Sequence, residues 1–447
     1  PAETGAVTIA MPQDVQAEAF DWPVEFFRKR VWHVRRPVPE PAALERAVAL
    51  IKAAKRPLII AGGGTIYAGA SEELRALATA TGIPVGDTQA GKGAINFDHP
   101  SAVGGVGSTG CDSGNHIADK ADLIIGVGTR YSDFTTASKT QFKNPDVKFV
   151  NINVTPFDAA KESAEMVVAD AREALAALTE ALADYRVEAA YSEEITAEKE
   201  AWLKATERCY HLDHGPLPAQ TEVFGALNEL MGEEDVVINA AGSMPGDLQA
   251  LWQARSPLQY HVEYAFSCMG YEVPAAMGVK LARPEAEVVS IVGDGTYQML
   301  PMELATVVQE NIKVIYVLLQ NYGFCSIGAL SESRGSQRFG TKYRQRGEGS
   351  HLADEQVIDG VDIAVNARSW GLDVLEVHTI EEFKEAYRKA EASDRPTMIH
   401  IETDLYGPNP PGSSWWDVPV SGVSALESTQ RAYEDYQRDR KPQRHYL

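Results

Sequence analysis

Cysteine is scarce. Cys111, Cys209, Cys268 and Cys325 are the only 4 among 447 residues, and no two form a CxxC pair. A disulfide framework or zinc site is therefore not expected, and buried reduced thiols are. Basic residues are in deficit: 41 Lys+Arg face 63 Asp+Glu, for a formal net charge of -22. Nucleic acids and anionic membranes both call for a basic face, so neither is an expected partner. No apolar run approaches the roughly 18–20 residues needed for a membrane-spanning helix. No signal-peptide pattern opens the sequence, and the expectation is a cytoplasmic protein. Internal repeats at solenoid periods and low-complexity tracts are also missing.

What remains is an ordinary globular composition at a length that predicts two to three domains. "RPLIIAGGG", "IPVGDT", "KADLIIGVGTR" and "VKFVNINV" read as short buried strands. Helical patterns alternate with them, as in Leu44, Ala47, Val48 and Ile51. A second run begins near Pro216, with strands "DVVINAAGS", "EVVSIVGDG", "KVIYVLLQN" and "TMIHIET" between helical segments. Such alternation predicts an α/β fold with two doubly wound parallel-sheet domains, at 41–185 and 216–405. A polar, helix-prone surface connector joins them at 186–215, and a tail follows at 406–447. Within the tail, "SSWWDVP" reads as either a lid or a segment packed on the core. At the start, "AVTIAMP" reads as a strand. Since one strand cannot fold alone, it is taken as the last strand of a further N-terminal α/β domain. Residues 1–20 are its expected remnant and 21–40 a Pro-rich linker.

The stretch "EVVSIVGDGTYQMLPMELATVVQENIKVIYVLLQNYGF" carries the chemistry. It reads as strand, turn, helix, strand, a crossover that makes the two strands parallel. Asp294 ends the first strand and Asn321 the second, so both reach one edge of one sheet, where open α/β sheets bind ligands. A carboxylate and an amide carbonyl are hard oxygen donors suited to Mg²⁺, which completes its shell with phosphate oxygens and water. Gly295 and Gly323 permit close approach of backbone, and the helix after Gly295 aims N–H groups at an anion. The predicted ligand is a diphosphate bridged to the protein by a metal.

Gly293-Asp294-Gly295 followed by Asn321 resembles the cofactor-binding motif of the thiamine-diphosphate-dependent superfamily that includes acetohydroxyacid synthase and pyruvate decarboxylase. The resemblance covers nearly the whole chain. It implies thiamine diphosphate and Mg²⁺ as cofactors, with the metal held by Asp294, Asn321 and the carbonyl of Gly323. The family often has Asn before this Asn; here the residue is Gln320. "FSCMGYEVPAAMG" resembles the stretch that props the bent cofactor, which places Met269 as the wedge and the Ser267 carbonyl against the aminopyrimidine. "NAAGSMPGD" implies backbone contacts from Gly242, Ser243 and Met244; Thr296 and Phe324 complete the implied cofactor set. The family builds its site between subunits, which implies a homodimer or homotetramer. It also places an activating Glu in the N-terminal pyrimidine-binding domain, so no residue of this chain takes that catalytic role.

Several stretches resemble a narrower branch, the trihydroxycyclohexane-1,2-dione hydrolases of myo-inositol catabolism: "MPQDVQAEAFDWPVEFF", "GTRYSDFTTASKTQF", "YHVEYAFSCMGYE", "NARSWG" and "GSSWWDVPVSGVS". That branch implies hydrolysis of a C–C bond in a polyhydroxy cyclic diketone to 5-deoxy-glucuronate. The alternatives are a carboligase like acetohydroxyacid synthase, or a cofactor-binding fragment inactive as it stands. His261, Glu263 and Tyr264, just upstream of Met269, are candidate substrate contacts, though loop hydrogen bonding also suits them. Gly62-Gly63-Gly64 lacks a full GxGxxG and reads better as a structural turn; His116 reads as a helix-face residue.

Overall fold

The computed structural model describes residues 6–344 and 362–444. Two six-stranded sheets organise them, and every strand pairing in both is parallel. The first sheet comprises β1 (Pro57–Ala61), β2 (Val85–Asp87), β3 (Ala102–Gly105), β4 (Leu123–Val127), β5 (Lys148–Asn153) and β6 (Glu165–Val168), in the order β3-β2-β1-β4-β5-β6. Leu58, Ile59, Ile60, Ile124 and Ile125 are fully buried because helices cover both faces. That is why the central strands read as unbroken apolar runs rather than alternating ones.

The second sheet comprises β7 (Val236–Asn239), β8 (Tyr260–Val262), β9 (Val288–Gly293), β10 (Ile315–Gln320), β11 (Asp373–Val377) and β12 (Thr397–Glu402), in the order β11-β12-β10-β9-β7-β8. From β7 the chain first goes outward to β8, then returns to build the sheet in the other direction through β9. The switch point therefore lies between β7 and β9, and the crevice outside their carboxyl ends is the default ligand site of such a sheet.

The structure bears on three expectations and corrects the one made for 186–215. No strand forms at 6–12: no sheet edge lies beside this segment among the described residues, and an unpaired strand leaves its N–H and C=O groups unbonded. Residues 1–5 of the expected remnant lie outside the described residues. The stretch 186–215 is more than a surface connector. Its helix, Ala189–Tyr210, buries Tyr191, Ile195, Trp202, Thr206 and Tyr210. Tyr191 donates to the carbonyl of Pro57 in the first sheet at 3.2 Å, while Trp202 and Tyr210 donate to the carbonyls of Ala250 and Leu251 at 2.8 and 2.7 Å. One helix face thus enters both cores. Of the two readings of "SSWWDVP", a lid or a packed segment, its contacts are those of the packed one. Trp416 Nε1 donates to Asp133 at 2.7 Å, the Asp417 N–H to Ser138 Oγ at 2.8 Å, and Ser108 Oγ to the Trp415 carbonyl at 3.3 Å. It lies against the loop 131–142, where Tyr131, Ala137, Ser138, Lys139 and Phe142 all have positive φ.

Candidate cofactor site

The parallel register sets Leu319 of β10 against Gly293 of β9. Asp294 and Asn321 therefore emerge side by side at the carboxyl edge, as expected from the sequence. Asp294 is buried, and its carboxylate accepts three main-chain N–H groups: Gly295 at 2.7 Å, Asn321 at 3.2 Å and Tyr322 at 2.6 Å. Burial pushes its pKa up to about 6, against the pull of those N–H groups. Asn321 Oδ1 is buried with no hydrogen-bond partner. A buried acceptor without a donor is costly, and a cation would satisfy it. The turn is tightly closed. Tyr322 has φ +58°, and a Cβ at Gly323 would lie 2.2 Å from the carbonyl oxygen of Thr341. Phe324 donates its N–H to that same oxygen at 2.8 Å. No group of three His, Cys, Asp or Glu side chains suited to a metal occurs among the described residues. The donors here are one carboxylate, one amide and a main-chain carbonyl, a hard oxygen set that fits Mg²⁺.

Across the switch point, the turn after β7 meets this one. Gly242 has φ +95° with open space around its Cα, and Met244 is buried with its Cε 3.6 Å from where a Cβ on Gly293 would be. Ser243 Oγ donates to Gln220 Oε1 at 3.2 Å, and Gln220 Nε2 donates to the buried carboxyl of Asp247. Burial raises the Asp247 pKa to about 7.

The wedge turn follows β8. Ser267 has φ +51° and is exposed; Met269 is half-buried; Gly270 has φ +93° and packs on Leu300, where a Cβ would come within 2.7 Å of the leucine Cβ. Leu300 caps the C-terminal end of the helix Asp294–Met299, so the wedge turn packs on the far end of the helix that starts at the diphosphate turn. His261 Nε2 bonds Tyr271 Oη at 2.7 Å, and burial lowers the histidine pKa. Tyr264 Oη lies 3.3 Å from Ser132 Oγ. Glu263 accepts from the N–H groups of Phe266 and Cys268 at 3.1 and 2.6 Å. His261, Glu263 and Tyr264 line a cavity of about 490 Å³, together with Gly62, Gly63, Gly64 and Arg130 of the first domain. The three glycines open a short helix rather than form a turn: Gly62 caps the helix Gly63–Tyr67 and packs on the loop after β4, since a Cβ on it would lie 2.4 Å from the Gly128 carbonyl oxygen. His116 is a helix-face residue, bonded to Glu198 at 3.2 Å.

Among the buried acids that escaped sequence reading, Asp247 and Glu272 adjoin the site. Each sits in the first turn of a helix, where an acid ordinarily serves the helix dipole. The only signal was a charge in an otherwise apolar segment, "GYEVPAAMG".

Residues 240–401 match the C-terminal, cofactor-binding domain of thiamine pyrophosphate enzymes, and residues 44–178 match their central domain. A 3D-(3,5/4)-trihydroxycyclohexane-1,2-dione hydrolase of Bacillus cereus (strain AH820) is 43% identical over 97% of this chain and 71% of its own length. The chain belongs to this family of thiamine pyrophosphate enzymes. Hydrolases of the same name from Bacillus anthracis and Bacillus thuringiensis are 43% and 44% identical over the same shares of each chain. Each matched domain corresponds to a different one of the two parallel sheets, and the turn at Asp294 falls within the cofactor-binding match.

Proposed function

We propose that the protein hydrolyses a C–C bond of trihydroxycyclohexane-1,2-dione, giving 5-deoxy-glucuronate, with thiamine diphosphate and Mg²⁺ as cofactors. The observation that carries this reading is the identity of 43–44% over 97% of the chain with relatives that bear that activity in their names. The switch-point geometry supports the cofactor assignment. In this reading Asp294 and Asn321 hold the metal through side-chain oxygens, and Gly323 through its carbonyl. Gly242, Ser243, Met244, Gly295, Thr296 and Phe324 enclose the diphosphate end, while Ser267 and Met269 support the pyrimidine and the bend. When bound, thiamine diphosphate supplies a nucleophilic carbon and an electron sink for C–C cleavage. His261 and Tyr264 face the cavity and are assigned to the hydroxyls of the dione. A histidine held neutral by burial can both donate and accept, which suits a neutral polyol. We assign the protein to the cytoplasm and to a homodimer or homotetramer, as the resemblance implies.

The test is product analysis by NMR after the full-length protein, thiamine diphosphate and Mg²⁺ meet the dione. 5-Deoxy-glucuronate is the expected product. An unchanged dione would sink the proposal, and acetolactate from pyruvate under the same conditions would favour a carboligase.

A further inference from the structure

We propose that Glu263 and Glu272 are positioning residues that form a two-carboxylate clamp on the wedge turn. The inference rests on the reading above in one respect, that Ser267 and Met269 support the cofactor. Glu263 accepts from the N–H groups of Phe266 and Cys268. Glu272 accepts from the N–H of Gly270 at 3.1 Å and from the N–H of Ala241 at 3.2 Å. Alternate N–H groups along 266–270 are thus each taken by a carboxylate, and Ser267 and Met269 lie between the fastened positions. The second oxygen of Glu272 reaches the turn after β7, so one side chain joins the two turns assigned to opposite ends of the cofactor.

The chemistry favours such a role over a structural accident. Glu272 is fully buried and has no ion pair among the described residues; the hydrogen-bond partners of its carboxyl are the main-chain N–H groups of Ala241 and Gly270, and burial with the nearby Glu263 pushes its pKa up to about 7. An unpaired buried carboxylate is unfavourable unless N–H donors replace its lost hydration. An alanine or valine at 272 would meet the packing needs of the helix without that penalty. What it would not supply is two acceptors aimed at two different turns. The wedge turn needs them, because Ser267 holds a left-handed φ that a serine does not favour, and Gly270 follows with φ +93°. Each Glu263 oxygen takes one N–H of its own loop, and we assign the side chain to the turn rather than to the dione.

Two experiments decide the clamp. In the full-length protein, Glu272→Gln and Glu263→Gln each keep one acceptor oxygen and turn an NH₂ group against a main-chain N–H. Each is expected to weaken thiamine diphosphate binding, titrated calorimetrically at fixed Mg²⁺, by at least tenfold. At saturating cofactor, the KM for the dione should stay within twofold of the unsubstituted protein. Unchanged cofactor affinity in either variant overturns the clamp. So does a raised KM for Glu263→Gln with cofactor affinity intact, which would make Glu263 a substrate contact. The second measurement does not depend on variants folding. Residue-resolved hydrogen exchange on the unsubstituted protein without cofactor should show the amides of Ala241, Phe266, Cys268 and Gly270 protected tenfold or more over those of Ser267 and Met269. Uniformly fast exchange across 266–270 overturns the proposal. If the unsubstituted protein binds no thiamine diphosphate, the functional reading fails, and the exchange pattern still decides the clamp.

Discussion

Main-chain N–H groups hold the Asp294 carboxylate in place before any cation arrives, and Asn321 presents a buried oxygen with nothing bonded to it. Asp294→Ala and Asn321→Ala are each expected to lower Mg²⁺-dependent thiamine diphosphate affinity by about 100-fold, as removing one ligand from a small metal site does. Calorimetric titration would read the loss. Gly323→Ala must move the Thr341 carbonyl, and a fall of tenfold or more in the same titration is expected. Asp247 gives a prediction in pH. Its folded-state pKa, about 7, lies above that of an unfolded aspartate, so the folded state binds the extra proton. That contribution to stability is present at low pH and disappears as pH rises through about 7. Asp247→Asn keeps a neutral group there. The variant should therefore gain on the unsubstituted protein between pH 5 and pH 8, by up to roughly 3 kcal/mol, read as a narrowing or reversed difference in Tm. Asp294 and Asn321 were legible because strand, turn and crossover fixed their edge of the sheet. Asp247 and Glu272 were not, because no local pattern tells a buried acid from a helix-capping one.

At the scale of elements, apolar runs located β1, β2, β4 and β5 in the first sheet and β7, β9, β10 and β12 in the second. The strands they missed are β3, β6, β8 and β11, the four edge strands. A central parallel strand has neighbours on both sides and helices on both faces, so its sequence must be apolar throughout. An edge strand is short and under less demand: "AVGG", "EMVV", "YHV" and "DVLEV" carry no run long enough to stand out. The helix Ala189–Tyr210 was misjudged for a related reason. It is polar overall, and its buried residues fall on one narrow stripe that serves two cores in turn. Trp202→Ala would open a cavity beside Gly104 and leave the Ala250 carbonyl unbonded. A loss of about 3–5 kcal/mol is expected, seen as a lowered Tm in calorimetry.

For the whole molecule, the surface raises a question of association. Phe20, Trp22, Phe27 and Trp32 are 69%, 56%, 70% and 82% exposed, and the Trp22 ring meets Phe20 edge-on at 5.2 Å and Phe26 at a tilt at 4.8 Å. Exposed apolar patches of this kind mark interaction sites. With the homodimer or homotetramer proposed above, they predict a sedimentation mass two or four times that of one chain; a monomer would contradict the proposed assembly. The tail around Trp416 has a different consequence, one of timing. The loop 131–142 is fastened by Trp416 and Asp417, partners 283 and 279 positions later in the sequence. At about 5–20 residues per second of synthesis, the loop leaves the ribosome roughly 15–60 s before its fasteners exist. Its five left-handed residues must wait in that interval. A nascent chain halted anywhere in the second sheet should therefore be cut by protease within 131–142, and the released full-length chain should not.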